Sequence, residues 1–227
     1  MVNVRKPKAL VEVVIDQALK HVVFDGWSDK TLKKVCSEME LDEIKVSKIF
    51  PRGGIDLALA FHKRDDERFL LRYEESNGNN LDLRIRDRIE SAINIRLDLA
   101  NQNKEAVKRS VALLTTPLYF SEGTRALWRT SDKIWTAIGD ETKDLNWYSK
   151  RLILSSVYSS VLIYWLEDDS KNFSETKGFV KRRINDVMKI EKFKVALKNS
   201  SEWHFFLRKF EAAAADIIKH KEGFPGW

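Results

Sequence analysis

Apolar residues recur at three- and four-residue spacing along nearly the whole chain, the signature of amphipathic helices packed against one another. Leu10, Val11, Val14, Ile15, Ala18, Val22 and Val23 predict a first helix, closed by Gly26. Leu32, Val35, Cys36 and Met39 predict a short second helix, and Leu41, Ile44, Val46, Ile49 and Phe50 a third. Pro51 and the Gly53-Gly54 pair stop the third, and a long fourth helix runs from Ile55 to about Tyr73. The run SNGNN at 76–80 predicts a loop. Helices follow near 81–100, 104–114, 121–138, 145–166, 174–190 and 201–220, with Pro117 between two of them and Gly139 at a helix C-terminus. No stretch alternates as a strand would, so the expected fold class is all-α. Residues 152–166 are apolar all round and rich in serine, yet too short for a bilayer, which takes about 20 residues. They predict a core or dimer-interface helix.

Composition narrows the function. Of 227 residues, 43% are hydrophobic and 33% charged, which excludes both a disordered tail and a polytopic membrane protein. The one cysteine, Cys36, excludes an internal disulfide and any multi-cysteine zinc site. A net charge of +6 favours an anionic partner, nucleic acid or lipid. The N-terminal text has neither a secretory nor an Arg-rich organellar character, so a cytoplasmic location is the simpler expectation.

Catalytic patterns are missing from the text. His21, His62, His204 and His220 are scattered without i,i+4 pairing, and no HExxH, CxxC, GxSxG or phosphate-loop glycine spacing occurs. Ser174 and Lys177 match Ser-x-x-Lys, but Ser174 heads a helix and reads as an N-cap. Asp65-Asp66-Glu67 reads as solvated helix surface. The expectation is no enzyme activity, no catalytic residue, no metal and no cofactor.

The first three helices and the long fourth resemble the DNA-binding domain of TetR-type repressors. That family's third helix, Gly-Val-Ser-x-Gly-x-Leu-Tyr-x-His-Phe, falls on 40–50. Leu41, Val46 and Phe50 keep its apolar positions, whereas Glu40, Asp42, Ile44 and Ser47 replace its glycines, its serine and its phosphate-touching tyrosine. Glu40, Asp42 and Glu43 place carboxylates where a recognition helix would enter the major groove. Residues 28–52 hold six Lys/Arg against five Asp/Glu, so no basic stripe gathers there. The resemblance implies a TetR-like fold with a degenerate helix-turn-helix and no nucleic-acid partner.

Residues 139–188 carry a second resemblance. IWTAIGD (134–140), DLNWY (144–148) and FVKRRINDVM (179–188) resemble the lipid-binding proteins of ubiquinone (coenzyme Q) biosynthesis, the ninth Coq family. The resemblance implies a homodimer that binds an isoprenoid quinone or a phospholipid. It also implies that the bound quinone precursor is presented to the di-iron demethoxyubiquinone hydroxylase. The family's partner-binding patch falls on Asp144, Asn146, Trp147, Tyr148, Arg151 and Pro117. Around that proline the family reads Leu-Pro-His-Asn, where this chain has Thr116-Pro117-Leu118-Tyr119. From the residues alone, Trp147 and Tyr148 at a helix start read first as core contacts, since such aromatics are mostly buried, with an interface anchor as the alternative.

Beyond the lysine-rich stretch at 189–201, Trp203, Phe206, Leu207, Phe210, Ala214 and Ile217 form one helical stripe with Arg208, Lys209 and Lys219 alongside. Trp203, Phe206, Leu207, Phe210 and Ile217 are the predicted membrane-binding residues, since a bulky apolar face flanked by lysines suits a bilayer interface. An ordinary helix docked on its own core remains the alternative. The division expected is 1–75 as helix-turn-helix-like, 76–190 as lipid-binding and dimerising, and 191–227 as linker and amphipathic helix. The location expected is the cytoplasmic face of the inner membrane, or the matrix face in a processed mitochondrial form. The rival reading is a TetR-type transcriptional regulator that binds DNA and responds to a ligand.

Overall fold

The computed structural model describes residues 7–77, 83–141 and 145–197. Among them lie nine α-helices and one 3-10 turn, with no strand. The helices are α1 (Pro7–Asp25), α2 (Asp29–Glu38), α3 (Glu43–Ile49), α4 (Gly54–Asn77), α5 (Ile85–Asn101), α6 (Lys104–Leu114), α7 (Phe120–Ala137), α8 (Leu145–Leu166) and α9 (Ser174–Leu197). Helix α9 continues past the expected end at 190. Helix α4 likewise runs through Ser76 to Asn77, beyond the expected end near Tyr73.

Local chemistry sets the early turns. Gly26 takes a φ of 69°, where a side chain is disfavoured, and Ser28 caps α2 by accepting the Thr31 N–H at 3.3 Å. Asp42 caps α3 in the same way, accepting the Ile44 N–H at 2.9 Å. A Cβ on Gly54 would lie 2.4 Å from the Trp27 carbonyl oxygen, so only glycine lets α4 start hard against the α1–α2 turn. The Asp29 carboxylate accepts the Gly54 N–H there at 3.0 Å.

Two apolar clusters result. The first joins α1, α2, α3 and the start of α4 through Val14, Ile15, Val22, Val35, Val46, Leu57 and Phe61, and reaches Ala106 on α6. The second joins the end of α4 to α5, α7, α8 and α9 through Phe69, Ile93, Ile134, Tyr158, Trp165 and Val180. Helix α4 thus belongs to both cores, and its middle is charged. Asp65 and Asp66, expected on solvated surface, are both buried. The correction has a plain cause. Helices α1, α5 and α7 all close on α4, leaving its mid-section little solvent-facing side.

Asp66 accepts from Arg96 Nε at 3.1 Å and Thr130 Oγ1 at 2.9 Å, and Arg129 and His62 lie at 3.4 Å. Burial alone would raise the Asp66 pKa, but His62, Arg96 and Arg129 outweigh it and hold the carboxyl well below the usual range. At Asp65 burial wins over Arg96 and Arg64, and the carboxyl is pushed up.

Helix α8 buries Leu154, Val157, Tyr158, Val161 and Trp165, while Leu152, Ser156 and Ile163 face outward on the opposite side. No helix among the described residues is long and apolar enough to cross a membrane.

Candidate interaction site

The first turns of α8, which carry Trp147 and Tyr148, pack against the second half of α7. Gly139 takes a φ of 82° and ends that helix, and the Asp140 N–H returns to the Trp135 carbonyl at 3.0 Å. The Asp140 carboxylate is thereby aimed at the first turns of α8. It accepts from Lys150 Nζ at 2.7 Å and from Arg151 Nη1 at 3.2 Å. Asp132 on α7 takes Arg151 Nε at 2.6 Å. Trp135 completes the joint, donating its indole N–H to the Lys150 carbonyl at 3.1 Å, with the Lys150 ammonium 5.3 Å from its ring centre.

Arg151 therefore lies beneath the surface, its side chain 3% exposed between two carboxylates. The expectation that it faces a partner is corrected. A guanidinium whose donors are turned inward to Asp132, Asp140 and the Trp147 carbonyl is part of the scaffold. What it presents outward is a flat face, and Trp147 stacks on it with the guanidinium carbon 3.9 Å from the ring centre.

Trp147 and Tyr148 are half-buried, and neither lies in an apolar core. Their rings meet edge to face at 4.7 Å. Trp128 on α7 joins them, 5.9 Å from Trp147 and 6.3 Å from Tyr148. It has no place in the sequence motifs, although the seven-residue spacing of Trp128 and Trp135 puts both on one face of α7, with Asp132 between them.

Asn146 is exposed beside the rings, and Asp144 lies outside the described residues. Pro117 stands apart, on the turn before α7, and Trp128 is about 12 Å further along that helix from Phe120. Its neighbours Leu118 and Phe120 are 75% and 63% exposed, so the turn is apolar and open. The five predicted membrane-binding residues, Trp203, Phe206, Leu207, Phe210 and Ile217, lie outside the described residues.

The FVKRRINDVM segment is structural. Val180 and Ile184 enter the second core, and Phe179 stacks on Tyr164 at 4.5 Å. Asp168 anchors the start of α9, accepting the Thr176 N–H at 2.9 Å and the Ser170 N–H at 2.8 Å. Burial would raise its pKa, but these bonds outweigh burial and hold the carboxyl well below the usual range. Between α5 and α9 lies a groove of about 260 Å³ lined by Arg86, Asp87, Glu90, Lys181, Ile184 and Asn185. That lining is too charged for an isoprenoid tail.

A family model, COQ9, matches residues 120–191, the span from the start of α7 into α9 that carries the ring cluster. The chain is similar to COQ9. The probable ubiquinone biosynthesis protein coq9, mitochondrial, of Dictyostelium discoideum is 25% identical over 185 residues, covering 80% of this chain and 60% of that protein. The COQ9 proteins of Rattus norvegicus and Homo sapiens are 25% and 24% identical over 198 residues, each covering 83% of this chain. The chain spans about 60% of the length of these COQ9 relatives. Among solved structures, a TetR transcriptional regulator from Nitrosomonas europaea superimposes with a TM-score of 0.62 at 20% identity, covering 78% of this chain and 96% of that one. The fold is TetR-like.

Proposed function

We propose that this protein is a non-catalytic accessory factor of ubiquinone biosynthesis. It binds an isoprenoid quinone precursor or a phospholipid and presents the precursor to demethoxyubiquinone hydroxylase. The observation that carries the reading is the half-exposed Trp147–Tyr148 pair, mounted on α8 inside the segment that matches COQ9. Large aromatics with one face anchored and another available are the anchors of protein interfaces. Asn146, Asp144 and the apolar turn at Pro117 extend the proposed contact. The names of the relatives add ubiquinone biosynthesis and a mitochondrial address, which favours the matrix face of the inner membrane over a cytoplasmic location. Two copies would pair through the outward face of α8, and residues 203–217 would rest on the membrane.

The rival, DNA binding, has the fold in its favour and the electrostatics against it. The start of α3 offers Glu43 and a 68%-exposed Ile44. The test has two arms on the full chain. Mass spectrometry of lipids extracted from the purified protein is expected to recover an isoprenoid or a phospholipid above a control protein. Co-purification with the hydroxylase of the same organism is expected, and Trp147→Ala is expected to abolish it. Absence of both lipid and hydroxylase would overturn the reading.

A further inference from the structure

An anchor ring binds more tightly when it is ordered before association, and three groups pack on Trp147. The Arg151 guanidinium lies over its ring at 3.9 Å, Tyr148 meets it at 78°, and Trp128 closes on it from the neighbouring helix at 59°. The guanidinium is itself tied on its inner side. Its Nε and Nη1 go to Asp132 on α7 and Asp140 at the end of α7, and its Nη1 also lies 3.3 Å from the Trp147 carbonyl oxygen.

One planar cation thus ties a carboxylate of α7 and one just past its end to an indole face of α8. Only arginine does both at once, because a lysine ammonium has neither the fork for two carboxylates nor a flat face for stacking. None of these groups needs to touch a partner to matter.

We infer that Trp128 and the Arg151–Asp132–Asp140 ion group are positioning residues, which fix the Trp147 ring in the orientation that meets a protein partner. The inference rests on the proposed reading of Trp147 as an anchor. Its physical content is preorganisation. A ring ordered before association spares the entropy of ordering it at the interface, which for one large side chain corresponds to roughly a threefold to tenfold change in affinity. Trp128 therefore contributes to binding through Trp147, and Asp132 contributes although it turns its carboxylate inward.

Two mild variants test this in the full chain. Trp128→Leu keeps apolar bulk at a half-buried site, and Asp132→Asn keeps the shape and removes the charge that holds Arg151. The first readout needs no partner. With fluorotryptophan incorporated, the Trp147 fluorine resonance is expected to shift and broaden in both variants, whereas that of the fully buried Trp165 stays where it is. The second readout is affinity for the hydroxylase of the same organism. It is expected to fall roughly threefold to tenfold in each variant, compared at a temperature well below each variant's own melting point, since weakening the buried Arg151 ion group also costs stability. Arg151→Lys is expected to behave like Asp132→Asn and to restore nothing.

An unchanged Trp147 resonance in both variants overturns the inference whatever the partner does. If Trp147→Ala abolishes association while Trp128→Leu and Asp132→Asn bind as the parent protein does, the anchor stands and its positioning by these residues is wrong. If Trp147→Ala binds unimpaired, the anchor reading itself fails and the inference falls with it.

Discussion

The buried charges on α4 make a quantitative prediction through Asp66→Ala. Asp66 is 1% exposed and is the shared acceptor of Arg96 Nε and Thr130 Oγ1, with Arg129 and His62 beside it. Thr130 survives the change, because its hydroxyl also donates to the Ala126 carbonyl at 3.2 Å. Arg129 is partly exposed and can turn to water. Arg96 has no such escape. Its side chain is 4% exposed, and its one remaining carboxylate, Asp65, stands 3.6 Å away with a pKa that burial pushes up. Breaking a buried ion pair by removing one partner costs about 3–5 kcal/mol. At this chain length each kcal/mol moves the melting temperature by about 2–4 °C, so a fall of roughly 6–20 °C is expected at neutral pH. Circular dichroism melts of Asp66→Ala and Asp66→Asn measure it, and the asparagine variant is expected to fall less, since it retains an acceptor for Arg96. A loss under about 3 °C in the alanine variant would show that Arg96 reaches solvent or another partner, and the account of α4 as a buried charged layer would be refuted.

Two further outcomes follow. Asp66 and Asp168 both have depressed pKa values in the folded state, so the stability they contribute is present above the unfolded value of about 3.9 and lost as pH falls through the folded ones. Asp65, raised by burial, works in the opposite sense. The melting temperature is therefore expected to drop steeply below about pH 4, and Asp168→Asn to flatten that drop, as acid titrations of stability would record. Gly54→Ala places a Cβ 2.4 Å from the Trp27 carbonyl and 2.5 Å from Ser28 Cα, and is expected to cost about 1–3 kcal/mol or more in urea unfolding because backbone must move.

The sequence makes the helices and both cores legible because each helix carries its own period. Val14, Val22, Val35 and Val46 advertise their burial by spacing alone. The charged middle of α4 could not be read that way. Residues 62–68 are a polar run, and a polar run ordinarily faces water. Only the convergence of α1, α5 and α7, which no local window contains, puts Asp65 and Asp66 inside. The interaction site shows the same split. Trp147 and Tyr148 stand out as aromatics at a helix start, but whether Arg151 faces outward or inward depends on Asp132 and Asp140, which arrive from the preceding helix. Trp128 was readable in principle, since it shares a helical face with Asp132 and Trp135. That spacing alone does not separate a packed helix face from a surface cluster; the neighbouring α8 rings do.

The N-terminal module keeps a helix-turn-helix geometry although the residues that would correspond to a repressor's DNA contacts are replaced. Its replaced positions serve the fold itself. Asp42, which would repel a phosphate backbone, caps α3, and Glu40 takes the left-handed turn, at a φ of 50°, that a glycine would fill in a repressor. Ile44, at the position of the second glycine, points to solvent. The module also cannot be detached cheaply from the rest of the chain. Trp27 donates its indole N–H to the Ala106 carbonyl on α6 at 2.9 Å, and Arg52 joins Asp56 on α4 to Glu122 on α7. Leu57 and Phe61 of α4 are buried in the cluster that α1, α2 and α3 build. Uncovering a fully buried side chain of that size forfeits about 1.5–3 kcal/mol each, and several such residues together match the whole stability of an ordinary domain, about 5–15 kcal/mol. Packing accounts for these three helices within the fold, and it is the acidic residues at the start of α3 that disfavour DNA binding.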